Sequence, residues 1–334
     1  MENRRHLNHV ETLRAIAALS VSVYHFSVYF TWNETTTNNF VYGAQGVEIF
    51  YLISGFIIPY SLYHSSYKIR HYLKYMSKRL VRLMPPYIVA IILINMMGIF
   101  LCKVFWGCDH QFDWPQIFVN IFFLADAFPN IDWINPIFAT LEVELHFYIV
   151  IGLLFPLFAL KRWVFPLACF TLLTLGILTF KYDTLFYNSP YFICGMSLFF
   201  IKEKGWKIEY ITAALLAAVS LFIFYFPEDL VAAIIGFSAL LFLPDNFKFL
   251  RFTGKISYSY YLIHGLAGGT ILFFNAPKEF GVNNPILMMI LAMAISWAAA
   301  FILYWFIERP SIRISKKIKY KMKYSDKFVK SNYG

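Results

Sequence analysis

The chain has 334 residues, of which 59% are hydrophobic and 14% charged, and its mean hydropathy is +0.58. So little charge cannot cover the surface of a soluble domain of this length, which points to an integral membrane protein. The net charge of +10 does not signal nucleic acid as a partner, because the lysines and arginines sit between apolar runs and in the C-terminal tail.

The first twelve residues, MENRRHLNHVET, are polar, and the apolar run behind them is too long for a signal-peptide core. The first span is therefore expected to be a permanent helix. Apolar runs that suit membrane helices lie at 12–31, 46–63, 84–102, 139–160, 164–181, 189–202, 209–226, 229–243, 256–275 and 286–307. A further piece, QIFVNIFFLADAF (116–128), is short and is followed by Pro129, Asp132 and Pro136. Whether it crosses decides the topology. If it does not, only Lys103, Lys181 and Lys278 of the 29 lysines and arginines fall outside, whereas a crossing would put the basic tail outside. The expected fold is an all-α integral membrane protein of about ten transmembrane helices with N- and C-termini cytoplasmic. Segment 116–128 is expected to be re-entrant or interfacial on the outer side. Residues 1–309 read as one transmembrane domain and 310–334 as a basic cytoplasmic tail attracted to anionic membrane lipids. Cys102, Cys108, Cys169 and Cys194 lack metal-ligand spacing, so no metal site is expected. Cys102 and Cys108 could pair if their end of the span is extracytoplasmic.

Ionisable residues inside membrane spans are costly and are read first as functional. In LRAIAALSVSVYHF, Arg14 and His25 are eleven residues apart. That is almost three helical turns, so they share a face with a rise of about 16 Å between them. Arg14 then lies at the cytoplasmic mouth and His25 in the outer half. Glu48 and Glu144 fall near the level of His25, and either could hold its imidazole in one tautomer, the minimal unit for general-base chemistry. Glu142 and His146 are expected to be solvated at the interface. Arg79 and Arg82, in KYMSKRLVRLMPPY, are helical neighbours, and Pro85-Pro86 should end that turn as the third span begins. The two arginines read either as a topogenic positive loop or, with Arg14, as a phosphate clamp. In GKISYSYYLIH (254–264), Lys255 marks the inner boundary and His264 lies about 12 Å deeper. Most of the five hydroxyls between Ser257 and Tyr261 should make interhelical hydrogen bonds. No Walker loop, GxSxG, HExxH, CxxC or GxGxxG motif is present.

In this order the motifs resemble those of the membrane-bound acyltransferase-3 family, bacterial O-acyltransferases of surface glycans, over roughly 8–310. Arg14 and His25 match its first-helix signature, and GVEIFYLISGFII (46–58) its second, with Glu48 where Asp is common. RLVRLMP (79–85) fits RxxRxxP. TLEVELHFY (140–148) resembles the SLxxExxFY segment, with Glu144 at the acidic position, and GKISYSYYLIH and ERP (308–310) fit the closing motifs. Ala139 departs from a frequent tryptophan. Some relatives carry a fused SGNH-type domain; with little chain after its last span, this protein is expected to complete or hand on the transfer with its membrane domain alone.

The resemblance implies an enzyme of the bacterial inner membrane that moves an acyl group, expected to be acetyl, from cytosolic acyl-CoA to a hydroxyl of an envelope glycan such as O-antigen or exopolysaccharide. Acyl-CoA is a donor substrate, and no permanently bound cofactor is expected. Arg14, Arg79 and Arg82 would bind the CoA phosphates. His25 would be the base, oriented by Glu48 or Glu144, with Ser54, Tyr258 and His264 as substrate-binding groups. An acyl-histidine relay is a variant. The rival reading is a proton-coupled transporter or flippase with His25 and Glu144 as relay, against which stands the lack of paired halves with broken helices.

Overall fold

The computed structural model describes residues 8–30, 34–108, 111–128, 130–159, 161–179, 184–243, 247–275 and 284–320. Arg4, Arg5, Pro129, Lys181, Lys278 and the tail beyond 320 lie outside the described residues. Among those described there is no strand, and every one of the ten apolar runs is helical over most of its length.

The helices are α1 (Asn8–Ser27), α2 (Glu34–Val41), α3 (Gly46–His64), α4 (Tyr72–Leu101), α5 (Trp114–Ile121), α6 (Ile137–Leu154), α7 (Val164–Thr179) and α8 (Ser189–Lys204). They continue as α9 (Ile208–Phe224), α10 (Pro227–Phe242), α11 (Lys248–Lys255), α12 (Ser257–His264), α13 (Thr270–Asn275), α14 (Pro285–Leu303) and α15 (Arg309–Lys317). Local chemistry explains many of the ends. Proline opens α5, α8, α10 and α14, where its missing N–H deprives no helical carbonyl. Asp113 and Asn284 cap α5 and α14 by accepting the backbone N–H of Gln116 (3.0 Å) and Leu287 (3.1 Å). Four helical stretches are long and apolar enough to cross a membrane: Asn39–His64, Ile69–Trp106, Ile137–Phe158 and Pro285–Lys317. The last runs through the boundary expected at 309, so the start of the basic segment is helical and packs on α4.

Pro85 and Pro86 do not end a helix. They lie inside α4, a single helix of 30 residues. Each removes one i→i−4 bond, from the carbonyls of Val81 and Arg82. A helix packed among neighbours tolerates that loss. Tyr258 of α12 packs against this turn, donating its hydroxyl to the neighbouring Leu83 carbonyl at 2.9 Å.

Segment 116–128 folds as α5 and a short 3₁₀ turn, Ala125–Ala127. Eight helical residues rise only about 12 Å, well short of a bilayer core. Asn120 ties it back: its Nδ2 donates to the Gln116 and Asp132 carbonyls, and its Oδ1 accepts from the Ile134 N–H. Phe123 takes a left-handed φ of 54° to close α5. Its ring stacks on Tyr87 of α4 at 4.6 Å, which compensates the strain. Cys102 and Cys108, at the end of α4, are joined in a disulfide with Cα atoms 5.2 Å apart.

The main apolar core gathers α3, α6, α8 and α9. At its centre α3 and α8 touch backbone to backbone. A Cβ on Gly55 would lie 2.3 Å from the Phe192 carbonyl oxygen, and one on Gly195 would lie 2.1 Å from that of Leu52. Small residues facing each other allow this approach between membrane helices. Gly195→Leu should therefore push the pair apart and cost more than about 3 kcal/mol. The expected readout is loss of monodisperse protein in detergent; unchanged yield and melting temperature would refute the close contact.

Candidate active site

α12 organises the site, because its successive side chains point to different neighbours. Ser257 Oγ accepts from Arg14 Nε of α1 at 3.2 Å. Tyr258 reaches α4, as above. Ser259 Oγ donates to Glu308 Oε2 at 2.6 Å, Tyr260 to Ser22 Oγ of α1 at 2.8 Å, and Tyr261 pairs with Thr140 Oγ1 of α6 at 2.7 Å. All five hydroxyls thus make bonds beyond their own helix, as interhelical pairing of this run requires. His264 ends α12 with its Nε2 at 2.9 Å from His25 Nδ1. Arg14, Ser22 and His25 therefore meet Ser257, Tyr260 and His264 in register, with α1 and α12 running in the same direction.

Beside this seam lies a cavity of about 810 Å³ of space unoccupied by atoms, counted out through its mouth. Arg14, Arg79 and Arg82 line it together with Ser54, Glu144 and Tyr148. Ser54 Oγ donates to Glu144 Oε1 at 2.5 Å, and Tyr148, one helical turn from Glu144, donates to the same oxygen. The Arg79 guanidinium sits 5.6 Å over the Tyr148 ring and 5.8 Å over Tyr75. The Nε of Arg82 is buried and has no hydrogen-bond partner among the described residues. Three guanidiniums lining one cavity, one with an unspent donor, suit a multiply charged anion such as a phosphate.

Tyr258, Tyr261 and Thr140 also line the cavity. Neither His25 nor His264 does. Tyr261 joins the two regions: its hydroxyl bonds Thr140, while its backbone carbonyl accepts from His264 Nδ1 at 2.9 Å. Around it Val21, Val47, Phe50, Ile137 and Leu141 form an apolar layer.

The expected residues thus divide. Arg14, Arg79, Arg82, Ser54, Glu144 and Tyr258 share the cavity. His25 stands beyond Tyr261 and makes no hydrogen bond to Glu48 or Glu144 among the described residues; the group that meets its ring is His264. Glu144 is held instead by Ser54 and Tyr148. Glu48 does not line the cavity: it is half-buried, with Tyr191 of α8, Asp229 of α10 and Tyr261 as electrostatic neighbours, and its Oε2 has no hydrogen-bond partner among the described residues. The Tyr258 hydroxyl is committed to Leu83, and His264 is 0% exposed. Glu142, expected in solvent, is buried at 3.8 Å from His146. Sequence reasoning placed Tyr148 in the TLEVELHFY motif but gave it no role, though its spacing from Glu144 was readable. It likewise named Glu308 only as part of the ERP motif, without a role; it is a fully buried acceptor in the wide π turn Tyr304–Glu308.

Residues 7–305 match a family model described as an acyltransferase domain. The chain belongs to the acyltransferase-3 family. It matches no curated protein and no solved structure. As a member of this family it is a membrane protein carrying an acyltransferase domain, and the matched residues contain the whole cavity and both histidines. Within that domain the two hydroxyl bonds to Glu144 should outweigh the one from Tyr258 to a neutral carbonyl. Tyr148→Phe is expected to cost about 1.5–3 kcal/mol and Tyr258→Phe about 0.5–1.5 kcal/mol. Melting temperatures in detergent give the order; the reverse order would show that Glu144 does not depend on Tyr148.

Proposed function

We propose that this acyltransferase moves an acetyl group from cytosolic acetyl-CoA to a hydroxyl of a lipid-linked or envelope glycan. It does so in the bacterial inner membrane, through a topology of ten crossings with both termini cytoplasmic. The observation that carries the reading is the single cavity in which Arg14, Arg79 and Arg82 stand together, with the family's acyltransferase domain around it. The arginines bind the CoA phosphates at the inner mouth. The pantetheine arm then runs along α1, whose rise of about 16 Å from Arg14 to His25 is comparable with its extended length.

At the far end the thioester passes Tyr261 and meets His25. His25 takes the proton from the acceptor hydroxyl as its oxygen attacks the thioester carbonyl. The tetrahedral oxyanion collapses, the carbon–sulfur bond breaks, and the CoA thiolate leaves and takes the proton from His25. Tyr261 donates to the oxyanion by giving up its bond to Thr140 Oγ1, which accepts the Tyr261 proton while its own goes to the Ile137 carbonyl. Glu144 anchors Ser54 and Tyr148 in the cavity that the arginines also line.

Purified protein incubated with labelled acetyl-CoA and a hydroxylated glycan should transfer label, with the product gaining one acetyl mass. No transfer to any hydroxylated envelope glycan would reject the reading. In that assay His25→Ala should lower turnover by about 10²–10⁴-fold with the protein still inserted. Arg14→Ala and Arg82→Ala should each raise KM for acetyl-CoA about tenfold, the loss of one charge-assisted bond. Unchanged KM in both would remove the phosphate clamp.

A further inference from the structure

The contact between His25 and His264 has a defined sense. His264 Nδ1 lies 2.9 Å from the Tyr261 carbonyl oxygen and 3.3 Å from that of Tyr260. A carbonyl only accepts, so the hydrogen sits on Nδ1. A neutral imidazole carries one N–H, and the other nitrogen is a lone-pair acceptor. The His264 ring is fully buried, with Tyr260 stacked at 5.8 Å, Phe26 edge-on at 5.9 Å and no carboxylate bonded to it. Such surroundings keep it uncharged. Its Nε2 is therefore an acceptor, and at 2.9 Å only an N–H on His25 Nδ1 can satisfy it.

This leaves the half-buried His25 with its Nε2 unprotonated. We propose that His264 is the positioning residue of the transfer: it holds His25 in the Nδ1–H tautomer and so presents Nε2 as the base. The assignment rests on His25 being the base and gives His264 the orienting role that a carboxylate fills in a serine-hydrolase triad. When His25 takes the hydroxyl proton at Nε2, its Nδ1–H bond to His264 becomes charge-assisted and strengthens, which favours the imidazolium only while it exists.

The fold around His264 serves that task. The helix widens into a π turn, Gly265–Gly269, directly after it, and such turns are frequent at functional sites. A Cβ on Gly268 would lie 2.4 Å from Phe26 Cζ and 2.5 Å from Ser296 Oγ, so glycine lets α1 and α14 close over the ring. Ser296 Oγ in turn lies 3.3 Å from the His264 carbonyl oxygen.

The test compares His264→Phe, which keeps a ring without nitrogen, with His264→Gln, whose amide oxygen restores an acceptor near the position of Nε2. With acetyl-CoA as donor, His264→Phe should lower kcat at least about a hundredfold with KM for acetyl-CoA unchanged, and His264→Gln should recover most of it. A kcat within threefold of wild type in His264→Phe, or equal loss in both folded variants, would overturn the assignment. Independently of how the variants fold, ¹⁵N NMR of histidine-labelled wild-type protein in nanodiscs should show His25 with a protonated Nδ1 and a pyridine-type Nε2. The opposite tautomer would overturn it equally. Full activity of His25→Ala would instead sink the underlying reading of the base, and the NMR result would still decide the tautomer.

Discussion

A polar side chain among membrane helices has no water to turn to, and the run Ser257–Tyr261 places five of them in succession on one helix. Successive ones must find partners on different neighbours, because successive residues of a helix point about 100° apart. The result is a hub. Arg14 and Ser22 of α1, the Leu83 carbonyl of α4, Thr140 of α6 and Glu308 all bond to this one turn and a half of chain. A hydroxyl left unpaired there would be costly, so the five bonds specify which helix lies on which side of α12. The cavity and the histidine pair are consequences of that arrangement.

The hub also separates two chemistries that one site needs. On one side the cavity gathers cationic guanidiniums with Glu144 in reach, a polar space suited to an anion. On the other, His25 and His264 meet under an apolar layer in which Tyr261 is the shared element. Tyr261 is bonded to both sides through different atoms, its hydroxyl and its carbonyl, so motion of that residue is felt by both. Burying His264 completely while leaving His25 half-exposed makes one ring structural and the other accessible.

Much of this was legible in the chain. Hydropathy located the ten helical runs, and the charge asymmetry argued that 116–128 does not cross; the helix found there, α5, has eight residues. The spacing of Arg14 and His25 correctly placed them on one helix face, because a helix has a fixed pitch. The arginines of RLVRLMP and Glu144 were marked by their cost inside a membrane. Other readings went astray for definite reasons. Pro85-Pro86 looked like a helix end because an isolated helix is broken by two missing donors, yet α4 runs on through them among its neighbours. Matching depth suggested Glu48 or Glu144 as the partner of His25, but depth says nothing of rotation about a helix axis or of lateral position in a bundle.

What the sequence determined by itself was everything local or one-dimensional: helix, span, face and spacing, each set by the pitch of the helix and the thickness of the bilayer. What only the tertiary structure decided was partnership. His25 and His264 are 239 residues apart, and Arg14 and Ser257 are 243. No periodicity connects such positions. They meet because the packing of α1 along α12 leaves no other way to satisfy their polar atoms.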